Sequence, residues 1–385
     1  MQRNEPLKAI LATMKPQWDQ PGIRPAVRLN FNKVLKCRTE ALGSEVYASS
    51  TEEKIVHHTC KSRACPSCGH RATMLWQRWM WTNLPAIDYA GIVFTMPDFL
   101  WPILYDNRLL LNDLPALGAA VIDQWSRQRY GTQMMIMVVP HTFGRHINFN
   151  PHLHVLISAG GLHTADGCWI PQCRLDKNAL MERWRDALIT YLRGALKLGL
   201  LKFKGTPEEI QTLLTTQSRR WWNISIQPQM TKEHFLRYAG RYVRRPPLAQ
   251  YRILKHGAEE ISFRTKDHKL KQEVVTRYTP EVFINLLAAH VPDHYQHAIR
   301  HFGLLAPRSK RQTFGALFAQ LGQRRRPKPR RQSWAASIAK AFGVNPLMDS
   351  KGEPLRLIAR RSAHLPDRAP VVNARFTDLI HPAFE

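Results

Sequence analysis

The stretch Asn150-Pro151-His152-Leu153-His154-Val155-Leu156-Ile157-Ser158 sets two histidines either side of one apolar residue, at the head of an apolar run. Side chains at i and i+2 of a strand point to the same face. The spacing therefore predicts that His152 and His154 project together while Leu153 and Val155 face the opposite side. Two imidazoles held side by side on a rigid element form a ligand pair for a divalent metal. The same pattern also suits a purely structural pair, so the neighbouring sequence decides. His141 closes the preceding strand-like segment, residues 134–142, and a loop of about ten residues containing Gly144 and Asn150 leads to His152. Antiparallel pairing of the two strands would bring His141 opposite His152 and His154. Three imidazoles would then leave coordination positions open for phosphate oxygens and water. His146, inside the loop, competes for the third place.

A second signal lies downstream in Glu233-His234-Phe235-Leu236-Arg237-Tyr238-Ala239-Gly240-Arg241-Tyr242-Val243-Arg244-Arg245, which reads as a helix over residues 231–245 halted by Pro246-Pro247. Tyr238 and Tyr242 are spaced i, i+4, so both hydroxyls emerge on one face. Arg237, Arg241, Arg244 and Arg245 surround them with positive charge. A phenol with a pKa near about 10 is a poor nucleophile when unassisted. Attack on a phosphodiester becomes feasible when a cation polarises the phosphate and arginines favour the phenolate. One tyrosine in the core and one capping a basic surface is the plain alternative, and the histidine pair tips the balance towards chemistry.

The charge points the same way. Among 385 residues there are 56 Lys+Arg against 29 Asp+Glu, a formal charge of +27, which calls for a polyanionic partner, most simply nucleic acid. No apolar stretch approaches the roughly 18–20 residues of a spanning helix, and residues 1–18 lack the pattern of a secretory signal. The expected setting is cytoplasmic, associated with the nucleoid. From Asp293 to Asp349 there is no acidic residue, and a basic tract centres on Arg324-Arg325-Arg326-Pro327-Lys328-Pro329-Arg330-Arg331. It should be extended and bind phosphate backbone without reading sequence.

Four of the six cysteines fall before residue 70. Cys60, Cys65 and Cys68 form a short x4, x2 knuckle, and Cys37 is the natural fourth ligand of a structural Zn²⁺. His57, His58 or His70 stand as alternatives to Cys37. Trp76, Trp79 and Trp81, with Arg71 and Arg78, would follow on a helix and suit either base stacking or a core. Cys168 and Cys173 read as structural. The remaining pattern is mixed. Residues 1–35 read as a short helix and an irregular arm, strands fall near 89–96 and 221–227, helices near 109–127, 179–198 and 280–290, and hairpins over 251–278. This divides the chain into residues 1–84, 85–292 and 293–385.

Taken in order, Pro151-His152-Leu153-His154 and Tyr238-Ala239-Gly240-Arg241-Tyr242-Val243-Arg244-Arg245-Pro246-Pro247 resemble the two-tyrosine HUH transposases of rolling-circle insertion sequences. The segments from Cys37 to Gly43 and from Cys60 to Cys68 are similar to that family's N-terminal zinc segment. Phe94-Thr95-Met96-Pro97 resembles its first strand motif, and His141-Thr142-Phe143-Gly144 the strand before the histidines. The resemblance covers about residues 25–310. It implies an α+β fold, an HUH endonuclease domain with an antiparallel central sheet and flanking helices, preceded by a zinc-binding domain and followed by a basic tail. It also implies Mg²⁺ or Mn²⁺ at His141, His152 and His154, and single-stranded DNA of element ends and target as the substrate. Tyr238 and Tyr242 would then make 5′-phosphotyrosine links. A replication initiator or relaxase would share this chemistry, and a non-enzymatic zinc-dependent DNA-binding protein is the rival from another class. Two departures stand out. The family's Cys-x2-Cys between Cys37 and Cys60 is replaced by Tyr47-Ala48-Ser49-Ser50-Thr51-Glu52, and residues 345–360 hold no C-terminal cysteine knuckle.

Overall fold

The N-terminal prolines start helices instead of interrupting them. In the computed structural model, which describes residues 5–243, 246–266, 272–294, 296–327, 330 and 332–363, α1 (Pro6–Thr13), α2 (Lys15–Trp18) and α3 (Pro25–Leu35) each carry proline in the first turn. There the missing N–H would lack an intrahelical partner anyway. The irregular arm expected over residues 1–35 is thus corrected to a helical cluster, packed through Leu7, Leu11, Trp18, Val27 and Phe31. A hairpin follows, β1 (Ser44–Ala48) and β2 (Glu53–His57), and then α4 (Pro66–Asn83).

The centre of the molecule is an antiparallel sheet. Its strands are β3 (Tyr89–Phe94), β4 (Thr132–Phe143), β5 (Phe149–His163), the short β6 (Trp169–Ile170), β7 (Ile224–Ile226) and β11 (Arg300–Gly303), in the order β11-β4-β5-β3-β7 with β6 beside β5. Alternation along β4 and β5 feeds two cores. Ile136, Val138, Leu153, Val155 and Ile157 face one, while Met135, Met137, Val139 and Leu156 face the other. The first core is covered by α6 (Leu114–Tyr130), α7 (Lys177–Lys197) and α8 (Pro207–Ser218), with α5 (Trp101–Asp106) and a 3-10 turn at Arg108–Asn112 at its edge. Trp184 of α7 stacks on Phe94 at 5.1 Å and 11°. The second face is covered by α4, α9 (Lys232–Gly240) and α11 (Pro307–Gln320) through Met80, Phe235, Ala239, Phe314 and Leu317. The fold is α+β, with antiparallel sheets and flanking helices.

Local chemistry fixes the ends. Asp176 caps α7 by accepting from the backbone N–H groups of Asn178 and Ala179. Thr206 and Glu209 form a capping box on α8. Gly131 ends α6 in the left-handed region at φ 62°.

A second, smaller layer joins distant parts of the chain. The sheet of β8 (Ile253–His256), β9 (Ile261–Lys266) and β10 (Glu273–Tyr278), with α10 (Pro280–Ala289), shares its core with α1 and α3 through Ile261, Phe263, Phe283 and Leu287. Arg24 crosses this seam. Its guanidinium pairs with Asp293 and donates to the carbonyls of Ala288 (2.8 Å) and Val291 (3.0 Å), satisfying the C-terminal end of α10. Further on, α12 (Trp334–Phe342) lies against α4, with Arg71 Nε 3.0 Å from Ser337 Oγ. β12 (Arg356–Arg361) then pairs antiparallel with β1 to complete the order β12-β1-β2. Asp349 fastens this join: it accepts from Ser49 Oγ (2.7 Å) and Thr51 Oγ1 (3.1 Å) while also accepting from the Lys351 and Glu353 amides.

Candidate active site and zinc site

β4 and β5 pair in a register that sets His141 directly opposite His152. His141 follows Met137 and Val139 on the same face, and His154 precedes Leu156, so all three histidines lie on the face covered by α9. Their ligand nitrogens all fall within 4.8 Å of one another. His152 Nε2 and His154 Nε2 are 3.2 Å apart. Two neighbouring ligands on a cation at about 2.1 Å would be separated by about 3 Å, so the pair fits one ion. The outer partners fit as well. His152 Nδ1 lies 2.8 Å from the Asn150 carbonyl and His141 Nε2 lies 2.8 Å from the Tyr242 carbonyl. A carbonyl only accepts, so these nitrogens carry the protons, leaving His152 Nε2 and His141 Nδ1 with lone pairs. This is the outer hydrogen bonding that metal-ligating histidines show. Burial lowers the His152 pKa, keeping it neutral. His146 lies outside the group, with Nδ1 2.8 Å from Thr276 Oγ1.

The tyrosines arrive from α9. That helix ends at Gly240, short of the expected residue 245, and the chain tightens so that the amides of both Tyr242 and Val243 donate to the Ala239 carbonyl. Pro246-Pro247 prevents regular continuation, and the last turn closes in i→i+3 fashion. Tyr242 consequently stacks on His154, with ring centroids 3.7 Å apart and 26° between planes. Tyr238 meets Tyr242 edge-on at 5.0 Å. Gly91 on β3 makes room for it, because a Cβ there would come within 2.9 Å of the Tyr238 ring. Burial, then the neighbouring Tyr242, raises the Tyr238 pKa, so its hydroxyl holds its proton.

The turn between His141 and His152 is pinned to the second layer. Ile147, at φ 54°, buries its side chain against α10 although a β-branched residue disfavours that backbone. His290 Nε2 donates to the Ile147 carbonyl at 2.6 Å, and its Nδ1 accepts from Thr142 Oγ1 at 3.1 Å. Burial, offset in part by that carbonyl and reinforced by Arg108 and Arg24, lowers the His290 pKa from 6.5 to about 4. The unfolded chain takes up this proton first, so stability present above pH 6.5 is lost as the pH falls towards 4, by up to roughly 3 kcal/mol. Lowered pKa values at His152 and His301 act in the same sense. Denaturant melts between pH 7.5 and 4.5 should show this loss, with a shallower pH dependence in His290→Gln.

The four cysteines also converge. Sγ–Sγ separations of Cys37–Cys68, Cys60–Cys68 and Cys37–Cys65 are each 3.7 Å. A tetrahedron of thiolates about 2.3 Å from zinc has edges of about 3.8 Å, whereas a disulfide would need about 2.05 Å. Cys37 is the fourth member, and His57, His58 and His70 lie outside the group. Arg38 and Lys61, each directly after a cysteine, sit at φ 59° and 55°, which turns the backbone around the cluster. Cys65 occupies the N-cap position of α4 and Cys68 lies in its first turn, where the helix dipole favours thiolate. Hydrogen bonding from Cys37 lowers the Cys68 pKa and raises that of Cys60, so a cation is needed to ionise all four. Cys173 is buried and Cys168 exposed, and both are free.

The expected DNA-binding arginines fall in two places, beside the tyrosines and beyond α11. Arg237 is exposed and paired with Glu233 at 2.6 Å, and Arg241 is exposed beside Tyr242. Arg324, Arg325, Arg326 and Arg330 are exposed, and Arg326 lies over the Trp81 ring at 5.5 Å. Arg244, Arg245, Lys328 and Arg331 lie outside the described residues. Trp76 packs into the second core, while Trp79 and Trp81 are partly exposed beneath Lys310 and Lys232. One group had no local signal in the sequence. A cleft beside the histidines is lined by His141, His152, Tyr242 and His290 together with Arg63 and Arg108.

Comparisons with known proteins identify the family of the chain. A family model described as "Putative transposase" matches residues 135–313, and one described as "Transposase zinc-binding domain" matches residues 10–96. The chain is similar to the "Transposase for insertion sequence element IS801" of Pseudomonas savastanoi pv. phaseolicola, being 30% identical over 338 residues that cover 84% of this chain and 81% of the relative. It is also similar to "Putative transposase y4qJ" of Sinorhizobium fredii, 28% identical over 311 residues, 76% and 77% of the two chains. No solved structure matches it.

Proposed function

The chain belongs to the insertion-sequence transposases of the IS801 and IS91 type that carry an N-terminal zinc-binding domain, and from that premise we propose that it cuts and rejoins single-stranded DNA through a 5′-phosphotyrosine link. The observation that carries this reading is the stacking of Tyr242 on His154 within a three-histidine group. His141, His152 and His154 would hold Mg²⁺ or Mn²⁺, and such an ion would supply positive charge to a phosphate bound there. Tyr242 Oη attacks phosphorus, forming one O–P bond as the bond to the 3′ oxygen breaks. A proton leaves the phenol and one reaches the departing oxygen, freeing a 3′-OH. One phosphoester replaces another, so rejoining needs no external energy. Tyr238, which meets Tyr242 and not the histidines, would serve the second transesterification. Exposed Arg237 and Arg241 and the basic tract after residue 322 would track the DNA backbone.

Residues 1–84 and 293–385 are in this reading chiefly DNA-holding and residues 85–292 catalytic. That division is functional, since β11 completes the central sheet and β12 the N-terminal one. Among the described residues no helix is long and apolar enough to cross a membrane, and the proposed place of action is the cytoplasmic nucleoid. The transposase relatives favour this reading over a replication initiator with the same chemistry.

The test is a denaturing gel of protein incubated with labelled single-stranded element ends and Mg²⁺ or Mn²⁺. A covalent adduct is expected. It should disappear in Tyr242→Phe, and Tyr238→Phe should keep the first adduct but lose strand transfer. Tight binding with no adduct on any authentic end would leave a DNA-binding protein without the proposed chemistry.

A further inference from the structure

The cleft beside the histidines contains an arginine without an acceptor. Arg108 lies in the 3-10 turn between α5 and α6, and its Nε and Nη1 are sealed from solvent with no hydrogen-bond partner. Its guanidinium sits over Phe149, at the start of β5 and three positions before His152, with Cζ 5.5 Å from the ring centroid. The carboxylate whose field reaches it, Asp293, is already paired with Arg24. A buried guanidinium in this condition is costly, because its desolvation is not offset by acceptors. Burial, and then the charge of Arg24, lower its pKa to about 10, so it remains a cation at neutral pH. Arg63 lines the same cleft. It lies inside the Cys60–Cys65 loop of the zinc knuckle, steered by a hydrogen bond of 3.1 Å from Nη1 to the Gln296 carbonyl.

We infer that Arg108, with Arg63 from the zinc knuckle, forms an anion subsite that takes a backbone phosphate of single-stranded DNA next to the phosphate held at the histidines. This rests on the reading of the protein as a single-strand DNA transferase. A phosphate supplies the acceptors that Arg108 lacks, and a guanidinium fork suits phosphate oxygens. The zinc knuckle is then one wall of the DNA path, and the two arginines fix how far the strand enters, which selects the linkage that meets Tyr242.

The test uses the full-length, zinc-loaded protein without added Mg²⁺ or Mn²⁺. Fluorescein-labelled single strands copied from an element end, each with one phosphate replaced by a neutral methylphosphonate, are titrated by fluorescence anisotropy. Wild type should lose about tenfold in affinity at one position adjoining the cleaved linkage. Arg108→Gln should show no loss at that position. On unmodified DNA, Arg108→Gln should bind about tenfold more weakly, with a salt slope shallower by about 0.7, and Arg108→Lys should recover part of both. Zinc content and melting temperature establish that each variant is folded. If Arg108→Gln does not fold, the same phosphate walk on Arg108→Lys and Arg63→Gln decides the matter. Equal methylphosphonate losses in wild type and variant overturn the subsite even where the adduct forms. A coupled loss without any adduct keeps the subsite and removes the catalytic reading.

Discussion

Replacing His152 and His154 together by alanine is expected to lower DNA cleavage by about a thousandfold or more while leaving the fold in place. Both side chains lie on the face covered by α9, and the residues that hold β5 in the sheet, Leu153, Val155 and Ile157, point the other way into the larger core. The ladder to β3 and β4 is backbone-made and independent of the imidazoles. Single-turnover cleavage of a labelled single strand, read against the far-ultraviolet circular dichroism of the same preparation, separates lost chemistry from lost structure. DNA affinity without metal should change little, since the arginines remain. Cleavage within tenfold of wild type would show that the histidines hold no essential cation.

Cys65→Ser is expected to release about one zinc per chain and to unfold the N-terminal layer. Zinc binding in small thiolate sites contributes on the order of 10 kcal/mol to folding. Here Cys37 and Cys65 are buried in one core with Leu7, Phe31 and Val34, while Cys60 and Cys68 are partly buried against it, so a metal held by the four would tie that core together. The loss should spread, because the same core holds Ile147 at the tip of the histidine hairpin. Metal analysis, a lowered first melting transition and the same transition on chelation by EDTA would check this. Full zinc content in Cys65→Ser would remove Cys65 from the ligand set.

The placement of these groups is legible in the sequence to different degrees. His152 and His154 are plain because period-two alternation assigns faces without any tertiary knowledge, and a hairpin of known strands brings His141 opposite. The cysteines are plain by spacing for three of the four. Cys37 is a choice among candidates that chain geometry alone resolves. The prolines of the first helices mislead, since proline breaks a helix when it falls inside one and opens it when it falls in the first turn. Thr206-Pro207-Glu208-Glu209 is a helix-start signature, yet the helix it begins does not emerge from periodicity alone. Arg108 is beyond reach. In Asn107-Arg108-Leu109-Leu110-Leu111-Asn112 it looks like any solvated arginine beside an apolar run, and its setting arises from Phe149, His290 and Arg63, three distant segments.

The pairing of β12 with β1 has a consequence for synthesis. The zinc knuckle and its hairpin leave the ribosome early, yet the outer strand of that sheet and its Asp349 clasp come from a segment 300 positions later. Contacts of such sequence separation form late in folding. The N-terminal sheet of a nascent chain therefore presents an open β1 edge until almost all of the catalytic layer has been made. A copy of the gene interrupted before residue 349 would leave that edge uncovered and prone to pairing with other chains.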